Sequence, residues 1–256
     1  MIIDAHMHLP CHDGCVTYED KKLKLMTDLA ASGADGGIVI ADSELSSVIG
    51  TPEECVELFD GVANIFIVAG VSPLIDYDAR LRELDKLLIG NKIVGVKLYP
   101  GHEAFYMDDE RLTPVFDLCE NYDVPLAVHT GWNNAQYNHH RFFATLADKR
   151  PSLRIVICHL YWPDIDLCYD TTAAYHNIYY DISSLADDAN AIGKTAASLR
   201  RIAEKDADRI IFGSDYGACN IQDHIALINS MDIGYDKKRM MLAENAINVY
   251  RLHIIN

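Results

Sequence analysis

The chain has 256 residues and a formal net charge of −16, from 22 basic and 38 acidic side chains, and half of it is hydrophobic. That length holds one large α/β domain or two small ones, with enough apolar material for a sizeable core. The acidic excess is spread out with no long run, so it excludes the basic footprint nucleic acid needs and disfavours anionic membranes; its plain consequence is solubility.

The chain opens Met1-Ile2-Ile3-Asp4-Ala5-His6-Met7-His8. No basic stretch precedes an apolar core, so this does not read as a secretory leader. The longest apolar stretch, residues 65–71, is far short of the roughly 20 residues of a membrane span. The 7 cysteines are odd in number and form no disulfide framework, which predicts a cytoplasmic protein with reduced thiols. Cys11-His12 and Cys15 suggest half a zinc knuckle, but no second Cys/His pair at suitable spacing completes it.

Apolar, β-branched runs predict strands at 1–8, 36–41, 64–72, 93–99, 125–130, 153–159, 178–183 and 209–215. Amphipathic helical segments lie between them, among them 19–31, 78–88, 109–121 and 137–150, and 240–252 reads as a terminal helix on the barrel exterior. Strand ends recur mostly at about thirty residues, the length of one βα unit. Eight such units over residues 1–256 predict one closed (β/α)₈ TIM barrel, an α/β fold in a single domain. The competing open doubly wound sheet would bring a Gly-rich phosphate turn, and the chain has neither G-x-G-x-x-G nor a P-loop.

Alternate strand residues share a face. Ile2, Asp4, His6 and His8 should point one way, and Met1, Ile3, Ala5 and Met7 the other. Two imidazoles at the end of a strand can converge on a metal ion. In the fourth strand Gly95, Lys97 and Tyr99 share a face opposite the aliphatic Val94, Val96 and Leu98, so Lys97 should point into the barrel. The same parity turns Ala127 and His129 inward, and groups Ile211, Gly213 and Asp215. For Ile155, Ile157 and His159 it is less decisive. Taken singly, each has a structural reading: a hydrogen-bonded histidine, a lysine paired with Asp215 or Glu103, an aspartate capping a turn. Five such residues at strand C-termini, where barrel active sites lie, favour a catalytic metal site with an open position.

The segments Ile3-Asp4-Ala5-His6-Met7-His8, Gly95-Val96-Lys97-Leu98-Tyr99-Pro100, Pro125-Leu126-Ala127-Val128-His129-Thr130-Gly131, Ile157-Cys158-His159, Ile211-Phe212-Gly213-Ser214-Asp215 and the closing Glu244-Asn245-Ala246 resemble, in this order, the amidohydrolase superfamily. The closer likeness is to its amidohydrolase-related branch of small metal-dependent barrels, which holds decarboxylases and lactonases. The resemblance implies that His6, His8, His129 and Asp215 ligate one divalent metal, most often zinc with manganese as the alternative. It implies that Asp215 also moves the proton, and that His159 faces the substrate or a second metal. Other branches bridge two metals with a carboxylated lysine; Lys97 stands in that region, and an ordinary ammonium anchoring an anionic substrate is the favoured reading. Tyr99, Trp132, Trp162 and Tyr216 are the expected pocket walls, suited to a small planar substrate.

The leading expectation is a hydrolase acting on an amide, lactone or ester of a small metabolite through a metal-activated water. The alternative is a non-oxidative decarboxylase on the same metal site. A non-catalytic metal-binding barrel ranks third, since a degenerate barrel has no use for a proton shuttle at Asp215. The expected partner is a small molecule, with no nucleic acid and no membrane. Pairing into a homodimer fits the branch, although no segment marks an interface.

Overall fold

The computed structural model describes residues 1–11, 14–132 and 134–255. His12, Asp13 and Asn133 lie outside the described residues, and with them the histidine of the Cys11-His12 pair. Eight strands, β1 (Ile3–Met7), β2 (Gly36–Ile40), β3 (Ile65–Gly70), β4 (Gly95–Leu98), β5 (Leu126–Val128), β6 (Ile155–Ile157), β7 (Ile178–Asp181) and β8 (Ile210–Ile211), pair in sequential order. All these pairings are parallel. The seam between β8 and β1 is closed by the chain beyond β8: Ala5 N–H donates to Phe212 O at 2.9 Å, Asp215 N–H to His6 O at 2.8 Å and His8 N–H to Tyr216 O at 2.7 Å. The result is the nearly closed (β/α)₈ TIM barrel that the alternating pattern predicts.

The helices α1 (Tyr18–Ser32), α2 (Pro52–Leu58), α3 (Tyr77–Ile89), α4 (Thr113–Asn121), α5 (His140–Lys149), α6 (Ile165–Thr172) and α7 (Ile192–Asp206) return the chain from each strand to the next. After β8 come α8 (Ile221–Ser230), α9 (Tyr235–Arg239), a π-helical turn (Met240–Glu244) and α10 (Asn245–Tyr250). Local chemistry sets several boundaries. Thr17 and Asp20, and again Thr51 and Glu54, form reciprocal capping boxes that satisfy the first free N–H groups of α1 and α2. Gly33 ends α1 at φ 80°, a left-handed turn that costs glycine little.

Two apolar layers follow the strand alternation. Val96, Leu98, Leu126, Val128, Ile155, Ile157, Ile178 and Tyr180 pack outward against the helices. Ile38, Ile40, Val68, Ala127, Val156, Cys158 and Ile211 fill the interior. Two expectations are corrected here. First, Ile3 and Ala5 belong to the inner layer and Met7 to the outer, with a register shift between Asp4 and Met7. A bulge therefore breaks strict alternation in β1, as bulges beside active sites commonly do. Asp4 and His6 do not share a face: Asp4 accepts from the N–H and hydroxyl of Ser214 at 2.9 and 2.5 Å, whereas His6 turns to Asp181. Second, the terminal helix does not cover the exterior. Ala243, Ala246, Val249 and Tyr250 join the inner layer. A Cβ on Gly95, at the start of β4, would meet the Tyr250 ring at 3.2 Å, so α10 plugs the N-terminal end of the barrel. Asn245 clasps this plug to β8, donating at 2.7 Å to both Ala207 O and Ile210 O.

No described helix is long and apolar enough to cross a membrane.

Candidate active site

At the C-terminal ends of the strands the chain repeatedly enters the left-handed region that non-glycine residues avoid. Trp132 (φ 52°), His159 (φ 60°), Leu160 (φ 44°), Tyr161 (φ 57°), Ser184 (φ 62°) and Asp215 (φ 65°) all do so. Each such residue costs on the order of 1 kcal/mol or more, and such strain persists where the surrounding fold over-determines it. Here it swings side chains that simple alternation would send elsewhere over the mouth of the barrel. His159 is the clearest case: Cys158 holds the interior position after Val156, and the left-handed turn at His159 brings its ring over the same opening.

That opening is a cavity of about 640 Å³. His6, His8, Lys97, Tyr99, His129, Trp132, His159 and Asp215 line it, so most of the side chains singled out in the sequence share one space. Asp42, Ser43, Glu44, Ile49, His102, Glu103, Asn134 and Ser184 complete most of the wall. Trp162 and Tyr216 are not brought to it. The Tyr216 hydroxyl donates to Asp28 on α1 at 2.7 Å, because the left-handed turn at Asp215 sends the next side chain outward. Trp162 lies behind Trp132, their rings 5.6 Å apart, and packs on the outer core.

Three donor atoms converge at the seam of the barrel. One nitrogen each of His6 and His8 and one oxygen of Asp215 lie within 4.8 Å of one another. Their hydrogen bonds decide which atoms carry protons. His6 Nδ1 lies 2.5 Å from Asp181 Oδ2, and His8 Nδ1 lies 2.9 Å from Ile40 O. Both oxygens only accept, so each Nδ1 carries the hydrogen, and in the neutral ring each Nε2 is a lone pair. These lone pairs face Asp215 Oδ1 at 3.4 Å and 3.3 Å. His6 Nε2 is buried and has no hydrogen-bond partner among the described residues. Three electron-rich atoms aimed at one point are unfavourable on their own and suit a cation between them. The donor set of two imidazole nitrogens and a carboxylate oxygen fits a divalent transition ion. Asp181 and the Ile40 carbonyl are the outer partners that orient such ligands. Ser184 ties the other oxygen of Asp215, donating to Oδ2 at 2.5 Å.

Electrostatics agree with this arrangement. Burial lowers the pKa of His6, lowers that of His129 well below 6.5 and takes His159 down to about 3, so these rings are neutral. Burial pushes Asp215 upward, but positive charge at His8, His6 and His159 outweighs it and holds the carboxyl well below its usual range; with these rings neutral, a cation between them would supply that charge. Asp181 is likewise held at about 2: burial would raise it, and His6 more than compensates.

His129 stands in the same cavity but outside the tight group of three. Its ring is 4.1 Å from that of His102, 5.0 Å from His159, and stacked on Trp132 at 6.0 Å. Lys97 is fully buried under the cavity, its Nζ 3.0 Å from Cys158 Sγ and 5.2 Å from the Tyr99 ring centre. Among the described residues it forms no ion pair with either expected carboxylate. Asp215 is occupied at the seam, and Glu103 accepts from Ser43 at 2.5 Å and from Ser72. Asp181 and Ser183 join the site without belonging to any of the segments singled out in the sequence. The signal was present, since Asp181 is an acidic residue at a strand's C-terminal end, in register with the inward positions of β7.

Comparison with known proteins agrees with the geometry. The amidohydrolase family profile matches residues 3–252. No curated protein matches the chain at a significant level. Among solved structures it resembles an uncharacterized TIM-barrel protein of Bordetella bronchiseptica, at 21% identity and TM-score 0.79, covering 98% of both chains. It also resembles a dihydroxybenzoic acid decarboxylase of Polaromonas with bound manganese and the inhibitor 2-nitroresorcinol, at 17% identity and TM-score 0.69, covering 98% of this chain and 96% of that one. A third is dihydroorotase of Campylobacter jejuni, at 17% identity and TM-score 0.68, covering 100% of this chain and 84% of that one. At these identities the likeness is one of fold.

Proposed function

Since the chain belongs to the amidohydrolase family, we propose that it is a metal-dependent, non-oxidative decarboxylase of a small aromatic carboxylic acid. The observation that carries this reading is Lys97, a basic side chain buried at the cavity with no acidic partner among the described residues. A buried basic group is stabilised by a counter-ion, and a substrate carboxylate supplies one. The cavity walls fit the rest of such a molecule. Trp132 crosses His159 edge to face at 4.8 Å, and Tyr99 and His102 form a second edge-on pair at 6.2 Å, the two linked through His129. Aromatic rings along the cavity wall suit a flat ring. The resemblance to a decarboxylase with bound manganese and an aromatic inhibitor supports the same choice.

In this reading His6, His8 and Asp215 hold the ion, zinc or manganese, with His129 as the fourth protein ligand carried over from the family resemblance. The ion would supply Lewis acidity towards substrate oxygens. Lys97 draws the acid in, as an ordinary ammonium rather than a carboxylated bridge. His159 donates a hydrogen bond to a substrate oxygen on which charge grows. Asp215, ionised at rest, takes a proton from a substrate hydroxyl or water and passes it to the ring carbon bearing the carboxylate. The electron pair of the breaking carbon–carboxyl bond returns to the ring as carbon dioxide leaves. Trp132 and Tyr99 hold the ring flat throughout.

Metal-replete protein should be offered hydroxybenzoic acids beside cyclic amides and lactones, with carbon dioxide and ring-opened acid measured separately. Carbon dioxide release from the aromatic acids, abolished in Lys97→Met and Asp215→Asn, is the expected result. Ring opening of an amide or lactone without carbon dioxide would overturn it in favour of hydrolysis.

A further inference from the structure

Ser183 follows β7 and is completely buried. Among the described residues its hydroxyl oxygen touches two atoms: His6 Nδ1 at 3.0 Å and His159 Nδ1 at 2.9 Å. A hydroxyl has one proton to give, and the surrounding donors and acceptors decide which of the two receives it. Asp181 Oδ2 is 2.5 Å from His6 Nδ1, and Asp181 Oδ1 accepts the Ser183 N–H at 2.8 Å. Asp181 is a carboxylate and only accepts, so the hydrogen between it and His6 belongs to His6 Nδ1. That nitrogen then has no lone pair, and the Ser183 hydroxyl cannot donate to it. The proton goes to the one remaining partner, His159 Nδ1. A neutral imidazole that accepts at Nδ1 carries its own hydrogen on Nε2.

We infer that Ser183 is a positioning residue that holds His159 as its Nε2–H tautomer, so that the ring offers the cavity a hydrogen-bond donor and not a base. The order of donation runs from Ser183 to His159, while His6 donates to Asp181, and one buried carboxylate thereby sets both rings. The opposite tautomer has an acceptor ready: His159 Nδ1 is also 3.2 Å from the Ser183 backbone oxygen, to which an Nδ1–H would donate. The hydroxyl, closer and able to donate, selects between the two. Removing it leaves only the carbonyl, and the tautomer should invert. The inference concerns the ring's hydrogen and not the reaction, so it stands or falls separately from decarboxylation.

The test is the pattern of two- and three-bond nitrogen–proton correlations in zinc-loaded protein labelled with ¹⁵N-histidine, with His159→Gln identifying the His159 signals. The expected wild-type pattern has the hydrogen on Nε2, inverting to Nδ1 in Ser183→Ala and returning in Ser183→Thr. A wild-type His159 with its hydrogen on Nδ1, or with none on Nε2, would overturn the inference without need of any variant. So would an unchanged pattern in a folded Ser183→Ala protein.

Discussion

Asp181 Oδ2 stands 2.5 Å from His6 Nδ1, both side chains sealed from solvent inside the barrel. The carboxylate keeps the hydrogen of His6 on Nδ1 and so leaves Nε2, unpartnered among the described residues, beside His8 and Asp215. An outer partner of this kind orients a ligand and raises its basicity, and its loss typically costs tenfold to a hundredfold in metal affinity. Asp181→Asn should therefore bind zinc about 10- to 100-fold more weakly than the wild type in a chelator competition. Affinity unchanged by the substitution would mean that His6 is not a ligand.

Elemental analysis of protein purified without chelator should find about one divalent ion per chain, lost in His6→Ala and in His8→Ala. Two ions per chain would return Lys97 to the role of a carboxylated bridge. An empty protein under metal-replete conditions would leave the convergence at the seam without a function.

Trp132 is 39% exposed, so its removal should cost little stability. As a wall of the cavity it should matter to binding. An aromatic contact contributes about 0.5–1.5 kcal/mol, so Trp132→Ala should raise KM for an aromatic acid by roughly 2- to 12-fold. A comparable fall in kcat at constant KM would place Trp132 in the chemical step instead.

His140 is buried, and its Nδ1 has no hydrogen-bond partner among the described residues. Burial, aided by His139 and Arg141, takes its pKa from 6.5 to about 4. Between those two values the unfolded chain binds the proton and the folded one does not, so stability rises with pH across the window. The contribution is complete above 6.5 and is lost as pH falls towards 4. Urea midpoints taken at about pH 7 and about pH 5 should show this loss, and His140→Phe should reduce it. An identical pH dependence in the variant would exclude His140 as a source.

Asn245 is the clasp between the plug of α10 and the end of β8, holding two buried carbonyls at 2.7 Å. Leaving a buried acceptor unmet costs about 1–3 kcal/mol. Asn245→Ala should destabilise by about 2–4 kcal/mol in urea unfolding, with metal content retained. A change below about 0.5 kcal/mol would show that water replaces the amide.

Much of this molecule was legible in the order of its residues. Short β-branched runs at βα-unit spacing determined eight parallel strands, because each apolar run must be buried and each helical return must cover it. Period-two alternation placed Lys97, His129 and Ala127 inside, since regular strands leave side chains no other choice. What the sequence could not decide lies where the backbone departs from regularity. A bulge in β1 separates Asp4 from His6, left-handed turns at His159 and Asp215 redirect their side chains, and Tyr216 is carried out to Asp28. The pairing of Asp181 with His6 joins residues 175 positions apart. Only closure of the barrel brings those two strand ends together, and only that closure turns separate histidines and carboxylates into one site.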